Sequence, residues 1–211
     1  MNNAYENYFD VRFPNYSYRD KMWIPVVEYL QRWIPAESKV LEVGAGYCNF
    51  INHIQAKEKH ASDRESVVKY ADANVSQYIE SVTDLTHDDN YFDVVFESNM
   101  FEHLTYEEAH KGAQEIFRVL KSGGRFIAMQ PNFRYFSEYY FDDYTHKTPF
   151  SHVSFPAMLE NYGFEIEKVI PRFLPATFKQ RLPRIPFLVW LYLRSPFKPF
   201  AGQMLVIAKK K

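Results

Sequence analysis

A mostly parallel, doubly wound α/β sheet is the fold class that this 211-residue chain predicts. Three observations lead there. Short apolar runs of strand type alternate with helical stretches from residue 39 onward. The first run, VLEVGAGYCNF at 40–50, ends in a Gly-Ala-Gly turn two places after an acidic residue. Further acidic residues follow the next runs, Asp63 after the second and Asp84 after the third. Such β-α alternation builds parallel sheets with right-handed crossovers.

Taken in order, residues 18–33 carry apolar side chains at helical spacing and stop at Ile34-Pro35. Strand one is expected at 39–43, a helix at 50–56, a weak second strand at 59–62 and a helix at 65–71. Strands three and four fall at 75–82 and 91–97. Residues 106–120 make the clearest amphipathic helix, and Lys121-Ser-Gly-Gly turns into strand five at 125–130. The stretch PNFRYFSEYYFDDYTHKTPFSH that follows is aromatic-rich and has no clean period, so 131–153 is expected to be a functional loop. A helix at 154–162 with Gly163 as its C-cap signal, strand six at 164–170 and strand seven at 204–209 complete the order. The segment 171–203 between the last two strands is far longer than a hairpin loop. One domain over 1–211 follows, with an N-terminal cover (1–36), the aromatic loop and the 171–203 insertion attached to it.

Composition narrows the classes. A 46% hydrophobic content supports a full core, and a single cysteine excludes an internal disulfide framework. The polar start MNNAYENYFD lacks the order of a signal peptide, and no apolar run approaches the roughly 20 residues that span a bilayer, so a cytoplasmic protein is expected. The net charge of −1 hides an asymmetry: residues 168–211 hold ten Lys or Arg and no acid, leaving −11 on the rest. Either the basic end meets something anionic or it only offsets the acidic body. An acidic body without a recognition module argues against nucleic acid.

The VLEVGAG turn, Asp63, Asp84, FDVVFESNMFEHL and IFRVLKSGGRFIAMQPN together resemble the class I S-adenosylmethionine-dependent methyltransferases, from about residue 39 to the end. Tyr8-Phe-Asp, PRFLPAT and GQMLVIAK are similar to a bacterial subgroup that often accompanies polysaccharide biosynthesis. The resemblance implies a Rossmann-like seven-stranded sheet with strand seven antiparallel and inserted beside strand six. It further implies S-adenosyl-L-methionine as cofactor. On that basis Gly44, Ala45 and Gly46 pass beneath the methionine part and ribose, and Glu42 holds the amino group. Asp63, nineteen residues after Gly44, meets the ribose hydroxyls, close to the roughly 20-residue spacing of dinucleotide sites. Asp84 accepts from the adenine amino group, Leu85 packs on the ring, and Ser98 and Asn99 border the methyl group. Cys48 departs from the pattern, standing at the third glycine position of the turn; a small buried residue is its expected role, not a nucleophile.

Transfer to a hydroxyl requires loss of a proton, and His103, just past strand four, is the first candidate base, against a purely structural role for it. His146 is the second. Asp142, Asp143, His146 and His152 fit no compact metal motif in their spacing, so a loop hydrogen-bonding network is expected and no metal. The aromatics of that loop either stack on sugar rings or pack as a lid. In the insertion, the apolar run 185–193 is flanked by Arg181, Arg184, Arg194 and Lys198; it either packs on the domain, with a homodimer as one use, or lies in a membrane interface over 181–200 at the inner face of the membrane. The expected function is O-methylation of a small or glycan-like acceptor, lipid-linked or nucleotide-linked. A non-catalytic cofactor-binding partner of polysaccharide assembly and an NAD-dependent oxidoreductase are the alternatives; in the latter, the third glycine of GxGxxG falls on Asn49.

Overall fold

A computed structural model describes residues 16–64, 70–176 and 185–211. Helix α1 (Tyr16–Leu30) continues as a 3-10 turn over Gln31–Trp33. It buries Met22, Val26, Leu30 and Ile34, the i, i+4 stripe that its spacing predicts. There follow β1 (Lys39–Val43), α2 (Asn49–His53), β2 (Glu58–Asp63), β3 (Val75–Ile79), β4 (Phe92–Ser98), α3 (Tyr106–Val119), β5 (Leu120–Pro131), α4 (Phe133–Tyr140), α5 (Ser154–Asn161), β6 (Phe164–Ile170), α6 (Pro186–Arg194) and β7 (Gln203–Lys210).

The strands form one seven-stranded sheet in the order β3-β2-β1-β4-β5-β7-β6. Strands β1 to β5 pair in parallel, and β7 lies antiparallel between β5 and β6. From β1 the chain winds outward to β2 and β3, then returns to β4 and β5 on the other side. This reversal opens a crevice at the carboxyl ends of β1 and β4, where such sheets take their ligands.

Both faces are covered, which is why the central strands read as continuous apolar runs rather than alternating ones. Val40, Val94, Phe96, Ile127 and Ile207 pack against α1, α2 and α6. Leu41, Val43, Val95, Phe126 and Val206 face α3 and α5. Phe50 stacks on Phe96 with ring centroids 3.8 Å apart, and each such buried side chain contributes about 1.5–3 kcal/mol.

Four sequence expectations shift. The helix expected at 50–56 is the shorter Asn49–His53, because Ile54 turns to extended backbone at ψ 141°. Strand three stops at Ile79, and Ser81 and Asp84 close a tight turn beyond it. The glycine turn before strand five counts within the strand, since Leu120 already pairs with Phe92. Most tellingly, 131–153 is not all loop: Asn132 caps α4 by accepting from the Arg134 amide, and the non-helical φ of −137° at Phe136 hides the period. Most of the helix expected at 65–71 lies outside the described residues, as do Tyr8-Phe-Asp, Arg181 and Arg184.

In the insertion, α6 packs against α1 and buries Val189 and Leu193, while Phe187 and Leu191 stay exposed. Among the described residues, no helix is long and apolar enough to cross a membrane.

Helix α3 starts in a full capping box, with Thr105 Oγ1 accepting from the Glu108 amide (3.2 Å) and Glu108 Oε2 from the Thr105 amide (2.8 Å). Thr105→Ala is expected to lower the unfolding free energy by about 1 kcal/mol, read as a shifted urea midpoint at unchanged m-value.

Candidate cofactor and acceptor site

The site begins where β1 ends. Glu42, 4% exposed, turns its carboxyl group toward the start of α2, and Oε2 accepts the Ile51 amide at 3.0 Å. Gly44 and Gly46 then take φ of +67° and +49°, a region that costs residues with a Cβ. A Cβ on Gly44 would stand 2.7 Å from Met100 Cγ, so the turn passes directly beneath the segment leaving β4.

The turn is fastened to β2. The Ala45 amide donates to Ser62 O (3.1 Å), and the Gly46 amide donates to Asp63 Oδ2 (2.9 Å). The carboxylates of Glu42 and Asp63 therefore sit on adjacent strand ends around one glycine bend. Burial pushes the Glu42 carboxyl up to about 8, and the neighbouring Asp63 charge adds to this, against the lowering effect of the Ile51 amide. Cys48, at the third glycine position, adopts φ +57° and is fully buried; burial, with Glu42 and Asp63 nearby, raises its thiol far above the range in which a thiolate forms.

Asp84 and Leu85 lie past the end of β3. The Asp84 amide donates to Ser81 O (2.9 Å), while Leu85 is buried among residues facing α3, its amide donating to Glu115 Oε2 (3.0 Å). At the end of β4, Ser98 and Asn99 are joined by a side-chain bond of 3.0 Å. Asn99 takes φ +55°, and its Oδ1 accepts from Gln203 Nε2 at 2.9 Å.

Beyond them, the 3-10 turn Phe101–His103 meets the aromatic segment. The Lys147 and Thr148 amides both donate to Glu102 O (2.7 and 3.2 Å), and Thr148 Oγ1 donates to Leu104 O (2.8 Å). This docking brings the two candidate imidazoles together, with the rings of His103 and His146 5.0 Å apart. His103 is pulled down to about 4, by burial first and then by His146. Asp143, also buried, holds Thr145 through Oδ1 (2.6 Å to Oγ1). His152 goes elsewhere, bonded to Asn132 Nδ2 at 2.9 Å, and Asp142 points to solvent.

Glu97 and Glu102 escaped the sequence reading. Glu97 is fully buried, accepts the Met100 amide at 3.2 Å, and its carboxyl is raised well above its usual range by burial and by Glu102. Its signal was an acid directly after the apolar residues Val94, Val95 and Phe96.

A sheet of this order with a glycine turn and acids at its switch point defines a cofactor-binding α/β domain. Residues 41–128 match the methyltransferase domain family. In three dimensions the chain resembles a chain of the complex between the Haloferax volcanii Trm112 methyltransferase activator and a methyltransferase, with TM-score 0.71, 16% identity and 96% of each chain covered. It also resembles a SAM-dependent methyltransferase from Archaeoglobus fulgidus, with TM-score 0.68, 19% identity, and 99% of this chain and 100% of that one covered. A third, a SAM-dependent methyltransferase from Thermotoga maritima, has TM-score 0.66 at 17% identity, covering 97% and 99%. No curated protein matches the sequence. Residues 41–128 thus match a methyltransferase domain, and together with the fold of the chain this supports a SAM-dependent methyltransferase with S-adenosylmethionine as its cofactor, in place of the nicotinamide alternative. The residues fit that group, because Gly44 has no room for a Cβ beneath Met100, Gly44 and Gly46 bend through positive φ, and two carboxylates border the bend.

The native protein is expected to leave an aromatic disulfide reagent unreacted at Cys48, while unfolded protein releases one thiol equivalent per chain. Rapid labelling of the native protein would contradict the buried assignment.

Proposed function

We propose that the protein methylates a hydroxyl of a small or glycan-like acceptor, with the bond from the Gly46 amide to Asp63 as the observation that carries the cofactor assignment. Bound in the crevice, S-adenosylmethionine supplies a methyl group on a positive sulfonium. In this reading Gly44, Ala45 and Gly46 floor the site, Asp63 accepts from the ribose hydroxyls, and Glu42 meets the amino group. Asp84 takes the adenine amino group, with Leu85 on that ring's side; Ser98 and Asn99 border the reacting carbon. His103 and His146 stand on the acceptor side and act on the hydroxyl proton as one cluster with Asp143 and Glu102, not as a lone imidazole. Alignment and exclusion of water supply the rest of the acceleration.

A lipid-linked acceptor is favoured by one surface. Phe187, Leu191, Phe197 and Phe200 are 64%, 50%, 75% and 72% exposed along α6 and the turn after it. A shallow apolar groove of about 250 Å³, lined by Ile24, Pro25, Glu28, Pro186, Phe187 and Trp190, opens beside them. Aromatic groups of this kind settle in the headgroup layer of a membrane, here on its cytoplasmic face. A second copy of the chain is the other occupant this face suits.

Labelled methyl transfer to lipid-extract and nucleotide-sugar pools tests the acceptor class. Calorimetry with S-adenosylhomocysteine tests the site: Asp63→Ala is expected to weaken binding by about 1–3 kcal/mol, and unchanged affinity would show the assignment is wrong. Burial pushes the Glu42 carboxyl up to about 8 from the usual 4.5, so at pH 7 it holds a proton that the bound ammonium displaces. Affinity is expected to rise between pH 6.5 and 8.5, with proton release on binding at pH 7, measured in buffers of differing ionisation enthalpy. The same shift makes the free protein lose stability as pH rises from 4.5 toward 8, because the folded state holds this proton more tightly. A Glu42→Gln variant that keeps both pH dependences would remove Glu42 from this role.

A further inference from the structure

The cluster past β4 is built like a metal centre. One donor atom each from Glu102, His103 and His146 lies within 4.8 Å of the others. Glu102 is 1% exposed, and its Oε2 has no hydrogen-bond partner. An orphaned carboxylate oxygen in that setting is costly unless something positive meets it.

The imidazoles are held in a defined tautomer. Thr145 Oγ1 donates to Asp143 Oδ1 (2.6 Å), so toward His103 Nδ1, 2.9 Å away, the hydroxyl can only accept. His103 therefore carries its hydrogen on Nδ1. His146 Nδ1 lies 2.6 Å from Tyr140 O, a carbonyl that only accepts, and is fixed the same way. In each neutral ring the lone pair is then on Nε2. Metal-binding histidines are prepared in this manner, one nitrogen donating to a carbonyl or carboxylate-backed group while the other is left to ligate.

We propose that Glu102, His103 and His146 bind a divalent transition-metal ion through the carboxylate and the two Nε2 atoms, with Asp143, Thr145 and the Tyr140 carbonyl as its outer support. Two imidazoles and one carboxylate suit zinc, manganese or iron and leave positions open for an exogenous oxygen. Imidazole nitrogens bond zinc at about 2.0–2.1 Å, so side-chain movement of about an ångström brings the donors to ligating distance. Neither the spacing in sequence nor any short motif marks the site, because His146 reaches it only through the docking of residues 147 and 148 on Glu102.

The binding itself stands apart from the methyl-transfer reading; its use rests on that reading. With both Nε2 lone pairs on the ion, the metal would take over from the imidazoles: an acceptor hydroxyl bound to it would lose its proton to solvent more readily, and the methyl carbon would leave sulfur as it bonds that oxygen.

The test uses the full chain after chelation, titrated with Zn²⁺ and with Co²⁺. One ion per chain is expected, with visible Co²⁺ absorption of a site containing nitrogen ligands. Glu102→Gln and His146→Ala are expected to weaken binding by about tenfold or more while still unfolding in one cooperative urea transition, which reports that they fold. Absence of a stoichiometric ion, or equal binding by wild type and both folded variants, overturns the proposal. Metal binding without methyl transfer to any hydroxyl acceptor would sink the functional reading alone; metal-free protein that transfers methyl groups at full rate would sink the catalytic use of the ion alone.

Discussion

Three carboxyl groups at the ends of three neighbouring strands each hold a backbone amide of the chain above them, and the functional end of the sheet depends on these bonds. Glu42 on β1 takes the Ile51 amide in α2, Asp63 on β2 takes the Gly46 amide, and Glu97 on β4 takes the Met100 amide. Because β2, β1 and β4 are adjacent in the sheet, the β1–α2 connection and the segment leaving β4 are pinned side by side over the switch point. A loop held this way offers its remaining amides and turns in fixed positions, which is what a preorganised site requires. The cost is that two of the three acids are buried and shifted toward their neutral forms. Replacing them by apolar residues would relieve that cost and release the loops.

Much of this was legible in the sequence, for identifiable reasons. Strands covered on both faces give unbroken apolar runs, so β1, β4 and β5 announce themselves, and α3 does so through its apolar stripe. The Gly-Ala-Gly turn was readable because only glycine relieves the positive φ that Gly44 and Gly46 adopt. What stayed hidden depends on contacts distant in the chain. Helix α4 is short and broken at Phe136, so no period survives to betray it. Glu102 and His146 are forty-four residues apart and meet only because the aromatic segment folds back onto the turn after β4. His152 lies near Asp142, Asp143 and His146 in sequence, yet Asn132 takes it away from His146.

That folding back couples the two halves of the crevice. Burial and then the nearby Glu102 raise the preference of the Glu97 carboxyl for its proton, while Glu97 anchors Met100, whose side chain closes over Gly44. Whatever changes the charge state around Glu102 is therefore felt at the segment that roofs the glycine turn. This is a contiguous physical path, made of one buried pair, one amide bond and one packed methionine, between the His103–His146 cluster and the glycine turn.

The basic C-terminal segment reads differently once its cations are traced. Lys210 Nζ lies 2.7 Å from both Phe117 O and Leu120 O, serving the open carbonyls at the end of α3, as cations at a helix C-terminus do. Lys198 donates to Tyr192 O near the end of α6. Arg194 spans Glu28 of α1 at 2.8 Å and covers the Trp190 ring at 3.9 Å. Each of these charges already has work inside the domain, so the asymmetry seen in composition is, for these residues, the means by which the last third of the chain is fastened to the acidic body. The apolar face of α6 then stands largely without a free cationic rim among the described residues.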